Sequence, residues 1–127
     1  MLLDTRVLLW ALGDPARLNG TVRELLEDAT SEVLFSAASI WEIAIKASLE
    51  RADFAVRPEQ VAQAARMTGF VELPINADVA APATDLPVRH RDPFDRLMTA
   101  QAMAEPARFY TVDPLLPPYP ELVELIE

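Results

Sequence analysis

The chain has 127 residues, a length that predicts one domain spanning residues 1–127. Hydrophobic residues make up 51% of it and charged residues 24%, which excludes a disordered tail. The net charge of −9 argues against a general nucleic-acid coating protein, but not against an enzyme that holds a dication between carboxylates.

Met1 to Leu3 is a short apolar run ending at Asp4, with neither the basic region nor the apolar length of a signal peptide. Thr5 to Leu12 reads as a helix. A second helix, capped by Asn19 or Thr21, runs to about Asp28, with Thr21 and Glu24 matching a capping box. Val33 to Phe35 reads as a buried strand, followed from Ser36 or Ser39 by a helix to Leu49. The longest uncharged stretch, Val33 to Trp41, is far below the roughly 20 residues of a membrane span. Pro58 opens a helix that Gly69 stops, and Phe70 to Leu73 is the next strand. Asn76 caps a helix toward Leu86 that Pro82 kinks or shortens. Asp92 opens a helix to Ala104, Arg108 to Val112 is a strand, and Leu122 to Ile126 is a last edge strand. Between them, Pro114, Pro117, Pro118 and Pro120 predict an extended loop. Short apolar strands alternating with helices predict a parallel sheet covered on both faces, with ligands bound at the strands' carboxyl ends.

Four places put acids in positions where a solvated charge is not the obvious explanation. Asp4 ends the first strand, where a helix N-cap is the simplest role for it. Glu42 is the sharper anomaly, because Ala37 to Ala47 is apolar almost all round and predicts a largely buried helix. A buried carboxylate costs several kcal/mol unless paired, protonated or bound to metal. An exposed pair with Lys46 four residues on would return only about 0.3–0.5 kcal/mol, so a ligand role is favoured. Asp92 and Pro93 make a good helix start, and Asp95 falls at the third position, in the positive end of the helix dipole. Asp113 follows a strand and precedes a proline, an ordinary turn start by itself.

Other chemistries lack their parts. There is no cysteine, which excludes disulfides and thiolate metal sites and is compatible with a cytoplasmic location. His90 is the sole histidine and sits between Arg89 and Arg91, fitting a phosphate contact or a solvated loop residue better than a zinc ligand. Neither a serine elbow nor a phosphate-binding glycine loop is present. Ten of the eleven basic residues are arginine, which grips phosphate with a bidentate fork; Lys46 is the exception.

Taken in order, Leu2-Leu3-Asp4-Thr5-Arg6-Val7-Leu8-Leu9-Trp10, Ser36 to Lys46, His90-Arg91-Asp92-Pro93-Phe94-Asp95-Arg96-Leu97 and Thr111-Val112-Asp113 resemble the PIN-domain ribonucleases. The nearest resemblance is to the VapC-like toxins of bacterial type II toxin–antitoxin pairs. It implies a three-layer α/β/α fold with a central parallel sheet. It also implies an endoribonuclease holding one or two Mg²⁺ or Mn²⁺ ions and leaving 5′-phosphate and 3′-hydroxyl ends. Asp4, Glu42 and Asp95 match the family's first three acids, Asp113 matches a fourth and more variable one, and Asp92 is a secondary candidate. Thr5 and Thr111 match hydroxyl positions beside the acids. Arg6, Lys46, Arg89, His90, Arg91 and Arg96 surround the motifs and are candidates for contact with RNA. Arg6 departs from the histidine that many relatives carry, which bears on substrate preference. The resemblance further implies a cognate antitoxin partner and a homodimer, with no membrane association.

Two other acidic-site α/β classes fit less well. A haloacid-dehalogenase-type phosphatase needs a second aspartate where Arg6 stands, and a receiver domain needs a lysine after a late strand. A non-catalytic binding module on the same fold is the remaining alternative, and the full set of acids argues against it.

Overall fold

A strand of only two residues, β1 (Leu2–Leu3), lies at the centre of the structure. The computed structural model describes residues 1–49, 56–85 and 92–112, together with the backbone of Val123–Leu125. The other strands are β2 (Leu34–Ser36), β3 (Val71–Leu73), β4 (Phe109–Thr111) and β5 (Val123–Leu125), all parallel, in the order β3-β2-β1-β4-β5. The helices are α1 (Thr5–Gly13), α2 (Gly20–Glu27), α3 (Ala37–Ser48), α4 (Pro58–Thr68), α5 (Ala77–Ala80) and α6 (Pro93–Ala104), with 3₁₀ turns at Pro15–Arg17 and Ala83–Asp85.

The strand register explains the layers. Leu2 sits beside Leu34 and Phe109, and Leu3 beside Phe35 and Tyr110. Because side chains alternate across a strand, these two trios point to opposite faces. Leu3, Phe35 and Tyr110 join Val7, Leu8, Val22, Val61 and Ala65 from α1, α2 and α4. Leu2, Leu34 and Phe109 join Met98 and Ala102 from α6. Both faces are therefore covered, as the apolar strands predict, and the three-layer α/β/α arrangement follows.

Helix ends follow local chemistry. Asp4, Asn19, Ser36, Asn76 and Asp92 each cap the helix that follows, accepting backbone N–H bonds through their side chains. Asn19, not Thr21, caps α2: Thr21 already lies inside the helix, so the capping box with Glu24 does not form its terminus. Gly69 ends α4 at φ 97°, a left-handed conformation that only glycine adopts without strain. Pro82 shortens α5, which stops at Ala80; Leu86 lies outside the described residues. The proline-rich loop after Asp113 also lies outside them.

A further expectation is met only in part. The near-continuous apolar character of α3 predicts a largely buried helix, yet Trp41 is 63% exposed. Only Ala38, Ser39 and Ile43 of α3 are fully enclosed, since Ala38 meets the α6 side of the core and Ile43 the α1 side. Ala37, Ile40, Trp41 and Ala44 instead line an open cavity of about 280 Å³ against Ala62 and Arg66 of α4 and Glu72 of β3. Among the described residues, no helix is long and apolar enough to cross a membrane.

Candidate active site

The chain runs from β1 outward to β2 and β3 on one side, and β4 and β5 lie on the other. The order therefore reverses between β1 and β4, and in parallel sheets the crevice at such a point is where ligands bind. Asp4 follows β1 there. Its side chain is committed twice: Oδ1 accepts from the Val7 N–H at 2.8 Å, capping α1. Oδ2 accepts from Thr111 Oγ1 at 2.5 Å and from the Val112 N–H at 3.4 Å. These bonds stitch β1 to the end of β4.

Asp4 is only 5% exposed. Burial pushes its carboxyl pKa upward; the bonds from Thr111, Val7 and Val112 and the charge of Arg6 oppose that rise without cancelling it. Among the described residues, none forms an ion pair with it. Among the described residues, the carboxylate is thus held by hydrogen-bond donors with no ion-pair partner.

Glu42 reaches the same region from α3. Its Oε1 lies 2.6 Å from Thr5 Oγ1, and its Oε2 lies 3.1 Å from Lys46 Nζ. The Glu42 side chain is 12% exposed and that of Lys46 is 48% exposed. The pair with Lys46 therefore exists, and it occupies only one of the two carboxylate oxygens. Thr5 has a single hydroxyl hydrogen and a second oxygen neighbour, Ser39 Oγ, at 3.0 Å. A carboxylate only accepts, so Thr5 gives its hydrogen to Glu42 and Ser39 supplies the hydrogen of the other contact. Ser39 is fully buried and also lies 3.4 Å from Met98 Sδ on α6.

Thr5 directly follows Asp4, so the two acids Asp4 and Glu42 flank one threonine. On α6, Asp92 Oδ1 accepts from the backbone N–H groups of Phe94 (2.9 Å) and Asp95 (3.3 Å). One oxygen of Asp92 is therefore committed to capping. Asp95 lies in the first turn of α6, where the helix dipole favours its charge. Among the described residues, no three His, Asp or Glu side chains gather into a metal-binding group. Asp113 lies outside the described residues, as do Arg89, His90 and Arg91. Arg6 is exposed. Arg96 donates to the Thr84 carbonyl at 2.9 Å, tying α6 to the turn before it.

Two polar residues of this region were not among the sequence candidates for the site. Ser39 joins α1, α3 and α6; its signal was a hydroxyl one turn before Glu42 in an otherwise apolar segment. Gln101 is 2% exposed, and its Oε1 lies 2.5 Å from Ser36 Oγ, the cap of α3. Its Nε2 donates to the carbonyls of Leu73 and Pro74, both at 3.3 Å. An amide bonded at both ends fixes α6 against the ends of β2 and β3, and so sets the register of the helix that carries Asp95.

The donors around this crevice are oxygen, which suits a hard dication and not a soft metal. The buried Asp4 carboxylate, with no ion-pair partner among the described residues, is the feature that a cation would satisfy. Asp4 and Glu42 fit such an ion on this ground.

Comparison with known proteins agrees with the geometry. The family model for the PIN domain matches residues 1–116. Ribonuclease VapC22 of Mycobacterium tuberculosis (strain ATCC 25618 / H37Rv) is 34% identical over 118 residues, covering 89% of this chain and 86% of that protein. A chain from the crystal structure of VapBC2 from Rickettsia felis, bound to a DNA fragment from their promoter, superposes with a TM-score of 0.65. That match covers 99% of this chain and 98% of the other at 16% identity, and it shows the shared fold. With a family model matching most of its length and a close VapC relative, the chain belongs to the PIN-domain family, in its VapC-like group.

Proposed function

We propose that this protein is a metal-dependent endoribonuclease, the toxin of a toxin–antitoxin pair. The observation that carries the reading is the buried Asp4 carboxylate at the crevice between β1 and β4, held by donors, without an ion-pair partner among the described residues, and next in sequence to Thr5, which bonds Glu42. The 34% identity to a ribonuclease supports it. In this reading Asp4 and Glu42 begin the ligand set for Mg²⁺ or Mn²⁺ and Asp95 and Asp113 are assigned to complete it, since the described acids do not by themselves form a group of three, with Asp92 chiefly a cap. The chemistry such an ion supplies is activation of water for in-line attack on phosphorus and neutralisation of charge on the phosphate.

The chain's own residues do the positioning. Thr111 and the N–H groups of Val7 and Val112 fix both oxygens of Asp4, so its carboxylate cannot rotate away. Thr5 fixes one oxygen of Glu42, and the other meets Lys46 Nζ at 3.1 Å. Second-neighbour bonds of this kind typically carry 10- to 100-fold, roughly, in metal affinity or activity. Arg6, Lys46, Arg89, His90, Arg91 and Arg96 are the residues we assign to the RNA backbone, where they offset the chain's net charge of −9. Residues 1–127 act as one cytoplasmic domain that forms a homodimer and is covered by a cognate antitoxin. The Rickettsia felis neighbour comes from a structure of VapBC2 bound to a promoter DNA fragment.

The test is Mg²⁺-dependent cleavage of RNA by the wild type and by Asp4→Asn, Glu42→Gln and Asp95→Asn. Each variant is expected to keep its circular-dichroism spectrum and lose cleavage. Cleavage unchanged in all three would reject the assignment.

A further inference from the structure

Glu42 has one oxygen turned inward and one turned outward, and the only lysine in the chain sits on the outer one. We propose that Lys46 is a displaceable counter-ion: it holds Glu42 Oε2 until a divalent cation takes that oxygen, and the freed ammonium then binds an RNA phosphate. This rests on the metal-dependent reading above and adds an order of events to it.

Three observations lead there. Oε1 is committed to Thr5 at 2.6 Å, and Thr5 is backed by the fully buried Ser39. Exchange of partners at Oε1 would take the charged acceptor from the buried Thr5 hydroxyl and reorder its bond with Ser39, whereas exchange at Oε2 disturbs only an exposed ammonium, so the exchangeable oxygen is Oε2. Lys46 meets Oε2 at 3.1 Å as an i,i+4 neighbour, with its side chain 48% exposed. Such exposed pairs are weak, and released lysine regains both water and rotamer freedom. Finally, the other ten bases are arginine. Arginine would grip a carboxylate through a rigid fork, whereas lysine is a hydrated point charge on a flexible stem that makes and breaks single contacts. The one lysine therefore stands where a contact must be given up. Once released, Nζ remains tethered beside the oxygen that holds the dication, within reach of a phosphate drawn to it.

The single lysine also makes the test direct. Lysine labelled with ¹³C at Cε reports Lys46 alone in the wild-type protein. Mg²⁺ is added while its binding is followed by calorimetry, and then a 2′-O-methyl oligoribonucleotide is added. The Lys46 signal is expected to shift and sharpen in step with Mg²⁺ occupancy, and to shift again when the oligonucleotide binds. Lys46→Met is expected to bind Mg²⁺ about two- to fivefold more tightly, the range an exposed ion pair can return. Lys46→Arg should bind Mg²⁺ no more tightly than the wild type. The gain in Lys46→Met should persist at raised salt, where a through-space gain in Arg6→Met fades. Mg²⁺ binding that leaves the Lys46 signal unmoved, with equal affinity in Lys46→Met, would overturn the exchange and leave the metal site standing. No Mg²⁺ binding by any form would overturn the metal site and the exchange with it.

Discussion

Asp4→Asn should make the metal-free protein more stable while abolishing cleavage. Asparagine keeps an oxygen for the Val7 N–H, and asparagine caps helices as well as aspartate does. Its amide takes the place of Oδ2, where the Thr111 hydroxyl can turn to accept while the long 3.4 Å bond from the Val112 N–H is lost. The variant removes the charge at the cost of that one long contact. Wherever its carboxyl is ionised, the wild type bears the cost of burying the charge. That cost is about 1.4 kcal/mol for each pKa unit by which folding raises the group. The sign is fixed by linkage: a carboxyl raised in the folded state binds its proton more tightly when folded, so stability falls as pH rises through the folded pKa. Below the unfolded value of 3.8 both states are protonated, and the difference between variant and wild type should level off. In a chain of this size, each kcal/mol moves the melting temperature by roughly 3–6 °C. The assay is thermal unfolding in EDTA from about pH 4 to pH 8, wild type against variant. The melting-temperature difference should grow in favour of Asp4→Asn as pH rises. A difference that is flat across that range, or that grows in favour of the wild type, would refute the argument that this carboxylate is buried at a cost.

Thr5→Val keeps shape but removes the hydrogen given to Glu42, and should destabilise by about 1–3 kcal/mol and lower cleavage by roughly 10- to 100-fold, read by denaturant unfolding and initial rates. Asp92→Asn should retain most of both stability and cleavage, while Asp92→Ala should lose about 1 kcal/mol through the cap alone. Gly69→Ala should cost about 1–2 kcal/mol in urea unfolding and leave cleavage per folded molecule intact, because Gly69 sits at φ 97° at the end of α4.

The elements were legible because each carries its own local signal. Pro58 and Gly69 bracket α4, and Asp92 with Pro93 opens α6, through chemistry that acts within a few residues. The apolar doublets Leu2-Leu3 and Leu34-Phe35 announce strands covered on both faces. What the sequence could not show were choices made between neighbours in space. Asn19 and Thr21 both suit an N-cap, and the entry of Gly20 into the helix decides between them. The burial of α3 was overestimated because hydropathy counts apolar residues without knowing how far the neighbouring layer extends. The core encloses Ala38 and Ile43, and the cavity beside α4 leaves Trp41 in solvent. At the site, Asp4 and Glu42 stood out as charges in apolar runs. Ser39 and Gln101 did not, because a serine or glutamine in a helix carries no such anomaly; their roles depend on contacts 34 and 65 residues away in sequence.

The same distinction explains how a chain with 16% identity can share this fold over nearly its whole length. A core accepts many apolar residues of about the right volume, provided the pattern is kept. The two trios on either face of the sheet need only be apolar, so they are free to vary. A carboxylate at the end of the central strand is not free in that way. Isolated from water and without a cation, its charge works against folding, and a neutral residue that keeps the cap should lower that cost. Its presence is therefore poorly explained by stability and well explained by an ion that binds the folded state and offsets the cost. Asp4 also caps α1 through Oδ1, a task asparagine would do equally well. The difference between the two residues is the charge, and the charge is what a hard dication at the β1–β4 crevice would use.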